Sequence, residues 1–369
     1  MKKNPLLSIL LFYKHTYTVN IYKKFYILLI FLFLGFYSPL NAESMSLCDC
    51  LRKAKNGDFV VTAQGKNFTL FHVFDVDGST LTIEEISAPL AEKKNIGTNW
   101  QQWIDQKAPG STSWVIYELD LDSKSIEDIY SYSQKSWQKI YPGDQIFPTL
   151  INLVFSKIDD VKRKKAGPRP LPDMIDDRPL WHPPIFLNGK KINGVQSLAY
   201  KASWPNDSTE LSGKKIEIYL PDKNELIPAY FPFWIQVSNQ FAQTKLRVID
   251  SGFNLKSIHS HFPLPPPELI SHQFTPNGEL IFLIKSHPKF KDFNVFAKCS
   301  DSSAPMFSVE VVTYETANRR KAKLVVANQE LKNKLKADKL YYFIFEPHEC
   351  SYMSIETAKP IGIAKQYVQ

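Results

Sequence analysis

Over much of the chain, apolar and polar positions alternate with a period of two, which places successive side chains on opposite faces of a strand. Between Asp58 and Ile86 this alternation predicts a three-strand meander: Phe59 to Thr62, Phe68 to Val76 and Leu81 to Ile86. Its turns are Gln64-Gly65 and Asp77-Gly78, and the Asp-Gly pair suits a hairpin whose two central residues both take positive φ. A second hairpin, Trp114 to Leu119 and Ile126 to Ser133, turns at Asp122-Ser123-Lys124. Between the two, Ala91 to Lys107 is polar with Trp100 and Trp103 three residues apart, which predicts a short helix carrying both indoles on one face. Asp144 to Ile158 reads as an amphipathic helix with Asp144 as its cap and Leu150, Val154 and Ile158 on one stripe.

The pattern breaks at residues 159–184. A basic run there is followed by Gly167-Pro168-Arg169-Pro170-Leu171-Pro172, Asp176-Asp177 and Trp181-His182-Pro183-Pro184, which together form a stiff exposed crossing segment. Strand signals resume at Gly194 to Ser203, Lys215 to Leu220, Phe233 to Val237 and Lys245 to Asp250. After a second stiff stretch, His261 to Pro267, helical periodicity nearly vanishes. Short strands follow at Glu279 to Ile284, Phe293 to Ala297, Met306 to Thr313, Lys323 to Ala327, Tyr341 to Phe345 and Tyr352 to Ile355. The expected fold class is mainly β. A curved antiparallel sheet with one or two helices occupies residues 43–258, and an immunoglobulin-like β-sandwich occupies 259–369.

Residues 1–42 have the layout of an export signal. Lys23-Lys24 precedes the uncharged run Phe25 to Tyr37, and Ser38-Pro39-Leu40-Asn41-Ala42 supplies a helix breaker and a small residue for cleavage. The run is short against the roughly 20 residues that cross a bilayer core, so cleavage after Ala42 is the expectation and a retained N-terminal anchor the alternative. Membrane contact is then transient. The expected destination is the periplasm, the outer membrane or the outside of the cell.

Composition changes this picture little. A net charge of +8 suggests an anionic partner, but five of the lysines lie in residues 1–42, which leaves +3 on the remainder. The basic runs at 162–165 and 319–323 lack interleaved aromatics, so nucleic acid is not the expected partner. With 25 Pro and only 14 Gly, the chain does not suit phosphate-cradling glycine loops.

Candidate chemistry is sparse. Asp250-Ser251-Gly252 after Val248-Ile249 matches an aspartic-protease strand end, but no second copy supplies the other carboxylate. His259-Ser260-His261, with His272 and His287, lacks acidic or thiolate ligands at a recognisable spacing, so no metal and no cofactor is expected. Cys48-Asp49-Cys50 lacks redox spacing. Cys299 and Cys350 each follow a strand of the same sandwich and form the candidate disulfide. No nucleophile-elbow, zinc-protease, P-loop or dinucleotide motif occurs. The tryptophans carry the binding expectation, with Trp100, Trp103, Trp114 and Trp234 as ligand-facing candidates.

The runs Leu211 to Pro221, Tyr230-Phe231-Pro232-Phe233-Trp234-Ile235 and Arg247-Val248-Ile249-Asp250-Ser251-Gly252 resemble uncharacterised exported proteins of chlamydia-like intracellular bacteria. The resemblance implies a Gram-negative envelope or secreted location and carries over no functional residue. The expected function is an exported, non-enzymatic protein that acts by binding a lipid, a glycan or another envelope protein. Two alternatives stand beside it. One is a lipid or lipoprotein carrier holding acyl chains in a half-barrel, and the other is a hydrolase of an envelope polymer.

Overall fold

The computed structural model describes residues 43–369 except 141–145, 172, 223–226, 239–242, 302–304, 317–319, 351–352 and 365–369. The export segment and the Asp144 cap lie outside the described residues. Two compact units divide between Ile258 and His259. Among the described residues, no helix is long and apolar enough to cross a membrane.

The first unit opens with β1 (Ser44–Ser46) and α1 (Leu47–Leu51), followed by β2 (Phe59–Gln64), β3 (Asn67–Asp77) and β4 (Thr80–Pro89). Helices α2 (Lys93–Ile96) and α3 (Trp100–Asp105) lead to β5 (Ser113–Asp120), β6 (Ser125–Ser131), β7 (Ser136–Gln138) and α4 (Ile146–Asn152). Then come β8 (Val154–Lys157), β9 (Ile185–Leu187), β10 (Lys190–Ile192), β11 (Ser197–Ser203), β12 (Lys215–Pro221), β13 (Trp234–Ser238) and β14 (Gln243–Gly252). Twelve of these strands form one antiparallel sheet in the order β1-β8-β11-β12-β13-β14-β2-β3-β4-β5-β6-β7, while β9 and β10 pair with each other.

The sheet curves because one of its faces closes on a single core. Leu81 and Ile83 of β4, Tyr117 and Leu119 of β5, Phe155 of β8, Tyr200 of β11 and Ile218 of β12 all share it. Helix α1, next to the β1 edge, is tied to the loop after β5 near the other edge. The Cys48 thiol donates to the Leu121 carbonyl at 3.1 Å, and Arg52 pairs with Asp122 at 2.7 Å. The opposite face of β2 to β5 is buried as well, because Phe59, Val61, Phe68, Leu70, Ile86 and Ala88 pack against Trp100, Trp103 and Ile104 of α3. Strand β2 is therefore apolar along both faces rather than alternating.

Two local expectations are corrected. The predicted helix 144–158 ends at Asn152, and Val154 to Lys157 instead pair with β1 while the end of that stretch reaches β11. Pairing of the two strand edges overrides the helical stripe, and Val154 is left 70% exposed. The central residues of the β3–β4 turn are Gly78 and Ser79, since Asp77 pairs directly with Thr80. Only Gly78 there takes positive φ (58°), which is the turn form with glycine first.

The second unit is a β-sandwich. One sheet contains β15 (Glu268–Phe274), β16 (Leu280–Lys285), β19 (Val312–Glu315) and β20 (Lys321–Val326). The other contains β17 (Phe293–Cys299), β18 (Phe307–Val309), β21 (Leu340–Pro347), β22 (Ile355–Glu356) and β23 (Ile361–Gly362). Phe282 of the first sheet meets Phe343 and Phe345 of the second, each at a centroid distance of 4.9 Å. Helix α5 (Asn328–Lys334) follows β20 and buries Leu331. The single strand expected over Met306 to Thr313 is two strands, one in each sheet, so the chain crosses the sandwich between Val309 and Val312.

The register rules out the disulfide expected between Cys299 and Cys350. Cys299 pairs with Tyr341 at one end of the β17–β21 ladder, whereas Cys350 follows Pro347, which pairs with Phe293 at the other. Six residues of strand separate the two ends, about 20 Å, against a Cα separation of roughly 7 Å at most for a disulfide. All four cysteines are free. Alkylation in denaturant without reductant is therefore expected to modify four thiols per chain, read by intact mass; two would restore the bond.

Candidate functional site

Three of the four tryptophans expected to face a ligand are inside the protein. Trp100, Trp103 and Trp114 are 2%, 3% and 6% exposed, and the indole N–H of each has an internal acceptor. Trp100 donates to Asp250 Oδ2 at 2.7 Å, Trp103 to the Pro109 carbonyl at 3.0 Å and Trp114 to Glu84 Oε1 at 2.9 Å. Their rings fill the core between α3 and the sheet, so the ligand-facing reading of these three is corrected to packing. Asp250 has the same character. Its other oxygen accepts from the Gly189 and Ser251 backbone N–H groups at 2.9 Å, joining α3 to the β9–β10 turn.

Trp234 is different. Along β11 to β14, Tyr200, Ile216, Ile218, Ile235 and Val248 turn inward, which sends the alternate residues outward. The strand register sets two rows across that outer face. One runs Tyr219, Trp234, Arg247, and the next runs Lys201, Glu217, Gln236, Lys245. Lys201, Lys215, Lys245 and Arg247 are exposed. The crossing segment lays Trp181 on this face, edge-on to Tyr219 at 5.0 Å and to Trp234 at 5.1 Å.

The basic run 162–165 now divides into two roles. Lys162, Arg163 and Lys165 pair with Asp159, Asp160 and Asp176 at 3.5, 3.0 and 3.7 Å. Lys164 pairs with no carboxylate among the described residues; its ammonium stands 4.2 Å over the Trp181 ring and 5.9 Å from Trp234. Lys245 also stands 5.9 Å from the Trp234 ring. Rings hold such ammonium groups in place through their negative faces without neutralising them.

Beneath the face lies the Arg163–Asp160 pair. Arg163 is buried, with one guanidinium nitrogen on the Ser197 carbonyl at 2.6 Å. His182 lies beside it, and its Nδ1 accepts from the Ser197 backbone N–H at 3.0 Å. Burial, then the Arg163 charge, lowers the affinity of His182 for a second proton. Glu217 is the carboxylate in the two rows, and it is occupied as an acceptor for the Tyr219 hydroxyl. Burial, then the Glu217 bond, keeps that hydroxyl protonated far above its ordinary range. The arrangement presents fixed cations beside aromatic rings to an anionic ligand, and the Ser197 hydroxyl beneath them is buried and lies 3.0 Å from His182 Nδ1.

Elsewhere the sequence candidates are placed apart. His261 is exposed and bonds Ser260, whereas His287 is buried in the second unit. Among the described residues, no group of three or more His, Cys, Asp or Glu is placed to hold a metal. Burial pushes the Cys48 and Cys50 thiols up, away from the reactive thiolate.

The family model described as CT021 protein matches residues 69–193, from β3 through the β9–β10 hairpin and including the crossing segment. Among solved structures, the 2.0 Å structure of the hypothetical protein CT021 from Chlamydia trachomatis is similar at 18% identity and a TM-score of 0.45, covering 60% of this chain and 99% of that one. No curated protein matches. The chain resembles uncharacterised chlamydial proteins.

Proposed function

We propose that this is an exported protein of the cell envelope that acts by binding, and that it takes an anionic ligand on the outer face of β11 to β14. The carrying observation is the set Lys164, Lys201, Lys245 and Arg247 around the Trp181–Trp234 pair. Export rests on Lys23-Lys24, the Phe25 to Tyr37 run and Ala42. Binding rather than carriage is supported by the filled concave side, where Tyr117, Tyr200, Trp204, Tyr230, Phe231 and Phe233 occupy the space that a half-barrel carrier would give to acyl chains.

Retention of the protein on a dextran sulfate column tests the face. Lys245→Glu with Arg247→Glu is expected to weaken binding on the order of tenfold or more, because each cation near an anionic surface is worth about 1 kcal/mol. The same reversal at Lys190 and Lys191, exposed on β10, changes the net charge equally and is expected to change retention far less. Equal losses in both pairs would reduce the effect to overall charge and remove the site.

A further inference from the structure

The crossing segment carries a feature that the outer face does not use. Residues 166–171 and 173–179 leave the fold as a pinned excursion. At its base the Ala166 N–H donates to the Pro179 carbonyl at 2.9 Å and the Trp181 N–H to the Lys164 carbonyl at 2.8 Å. Higher up, Arg178 bridges the Gly167 carbonyl at 2.7 Å and Asp176 at 2.8 Å, and Lys165 also donates to the Asp176 carbonyl. Beyond these ties Leu171, Met174 and Ile175 stand 71%, 63% and 90% exposed. Three large apolar side chains within five residues, on a stiff proline-containing projection, gain nothing from the fold where they are.

We propose that this excursion is a wedge that enters the surface of an anionic lipid bilayer, with the cationic face beside it meeting the headgroups. The inference rests on the anion-binding reading of that face and names its ligand. Two observations favour a bilayer over a protein partner. The tip is aliphatic, and the exposed Arg169 two residues before Leu171 adds a cation beside it. Its surroundings supply the other two parts of an interfacial contact: tryptophans at the base (Trp181, Trp234) and cations around them (Lys164, Lys245, Arg247). Asp176 is neutralised by Arg178 and Lys165, while the exposed Asp173 and Asp177 restrict entry to the headgroup boundary.

A reporter at the tip tests this in the full chain, where residues 1–42 could themselves bring the protein to a vesicle without involving the tip. Met174→Cys is made with Cys50→Ser and Cys299→Ser and labelled with an environment-sensitive fluorophore. Phosphatidylcholine vesicles with and without phosphatidylglycerol are then added. The expected result is a blue shift and quenching by acyl-chain nitroxides that need phosphatidylglycerol. Leu171→Glu with Ile175→Glu should abolish both, and Lys245→Glu with Arg247→Glu should raise the lipid concentration required by about tenfold. A label that stays open to aqueous iodide with vesicles present overturns the wedge. If dextran sulfate binding still depends on Lys245 and Arg247 in that case, the anionic face stands without it; if that dependence is lost too, both readings fall.

Discussion

Glu84→Ala is expected to destabilise the first unit by about 3–5 kcal/mol, while Glu84→Gln is expected to cost only about 1 kcal/mol. Glu84 is fully buried on β4 and accepts from three sides: His72 Nδ1 at 2.9 Å, Trp114 Nε1 at 2.9 Å and Ser257 Oγ at 2.7 Å. His72 Nε2 lies 2.9 Å from the Leu255 carbonyl, so both ring nitrogens are engaged. Burial pushes the Glu84 carboxyl up, but the His72, Ser257 and Trp114 bonds outweigh it and hold the group below its ordinary value. Alanine would strand three buried hydrogen-bonding groups, on His72, Trp114 and Ser257, beside a cavity. Glutamine can keep its oxygen toward Trp114 and Ser257 and turn its amide group toward His72 Nδ1, which restores a partner to each of the three groups. All seven tryptophans lie in the first unit, so tryptophan fluorescence during denaturation reads this unit alone. Equal losses for the two variants would mean that the bonding pattern is not what Glu84 contributes.

That cluster shows why strands were easier to read from the sequence than sites. Alternation marks Phe68 to Val76 and Leu81 to Ile86 because each face meets a different environment, and these segments lie within β3 and β4. It fails for β1, β9 and β10, which are three residues each and too short to show a period. It also fails at Val154, where strand partners distant in sequence decide the conformation. Spacing correctly put Trp100 and Trp103 on one helical face, yet spacing cannot say whether that face looks inward or outward. Trp234 was marked without its neighbours, because Trp181 reaches it across 53 residues and Lys164 stood inside a basic run without interleaved aromatics. Only the pairing of Lys162, Arg163 and Lys165 with nearby carboxylates sets Lys164 apart.

The first unit is expected to lose about 2–3 kcal/mol of stability between pH 5 and pH 8, and Glu85→Gln is expected to remove most of that slope. Glu85 follows Glu84 on β4 and therefore faces the other side of the sheet, toward the concave core, with Phe71 and Val115 opposite it on the neighbouring strands. Burial among these groups raises its carboxyl from 4.5 to about 7, and the hydrogen bond with Tyr117 lowers it only in part. The folded protein thus binds this proton more tightly than the unfolded chain does. The contribution is fully present below the unfolded value of 4.5 and is lost as pH rises through about 7. Asp58, raised by burial against the opposing Lys55 backbone bond, adds a smaller slope of the same sign that the substitution leaves behind. Glutamine keeps the shape and the Tyr117 bond but has no charge to expose, so the variant should match the parent near pH 5 and exceed it at pH 8. Tyr117→Phe supplies the independent check. Burial, then the Glu85 charge, keeps the Tyr117 hydroxyl protonated well above its ordinary range, so it serves as a donor throughout. Removing it takes away the bond that favours the Glu85 carboxylate and should move the midpoint of the pH dependence upward. A parent protein equally stable at pH 5 and pH 8 would place Glu85 in contact with water, and the Tyr117 substitution would then leave the profile flat.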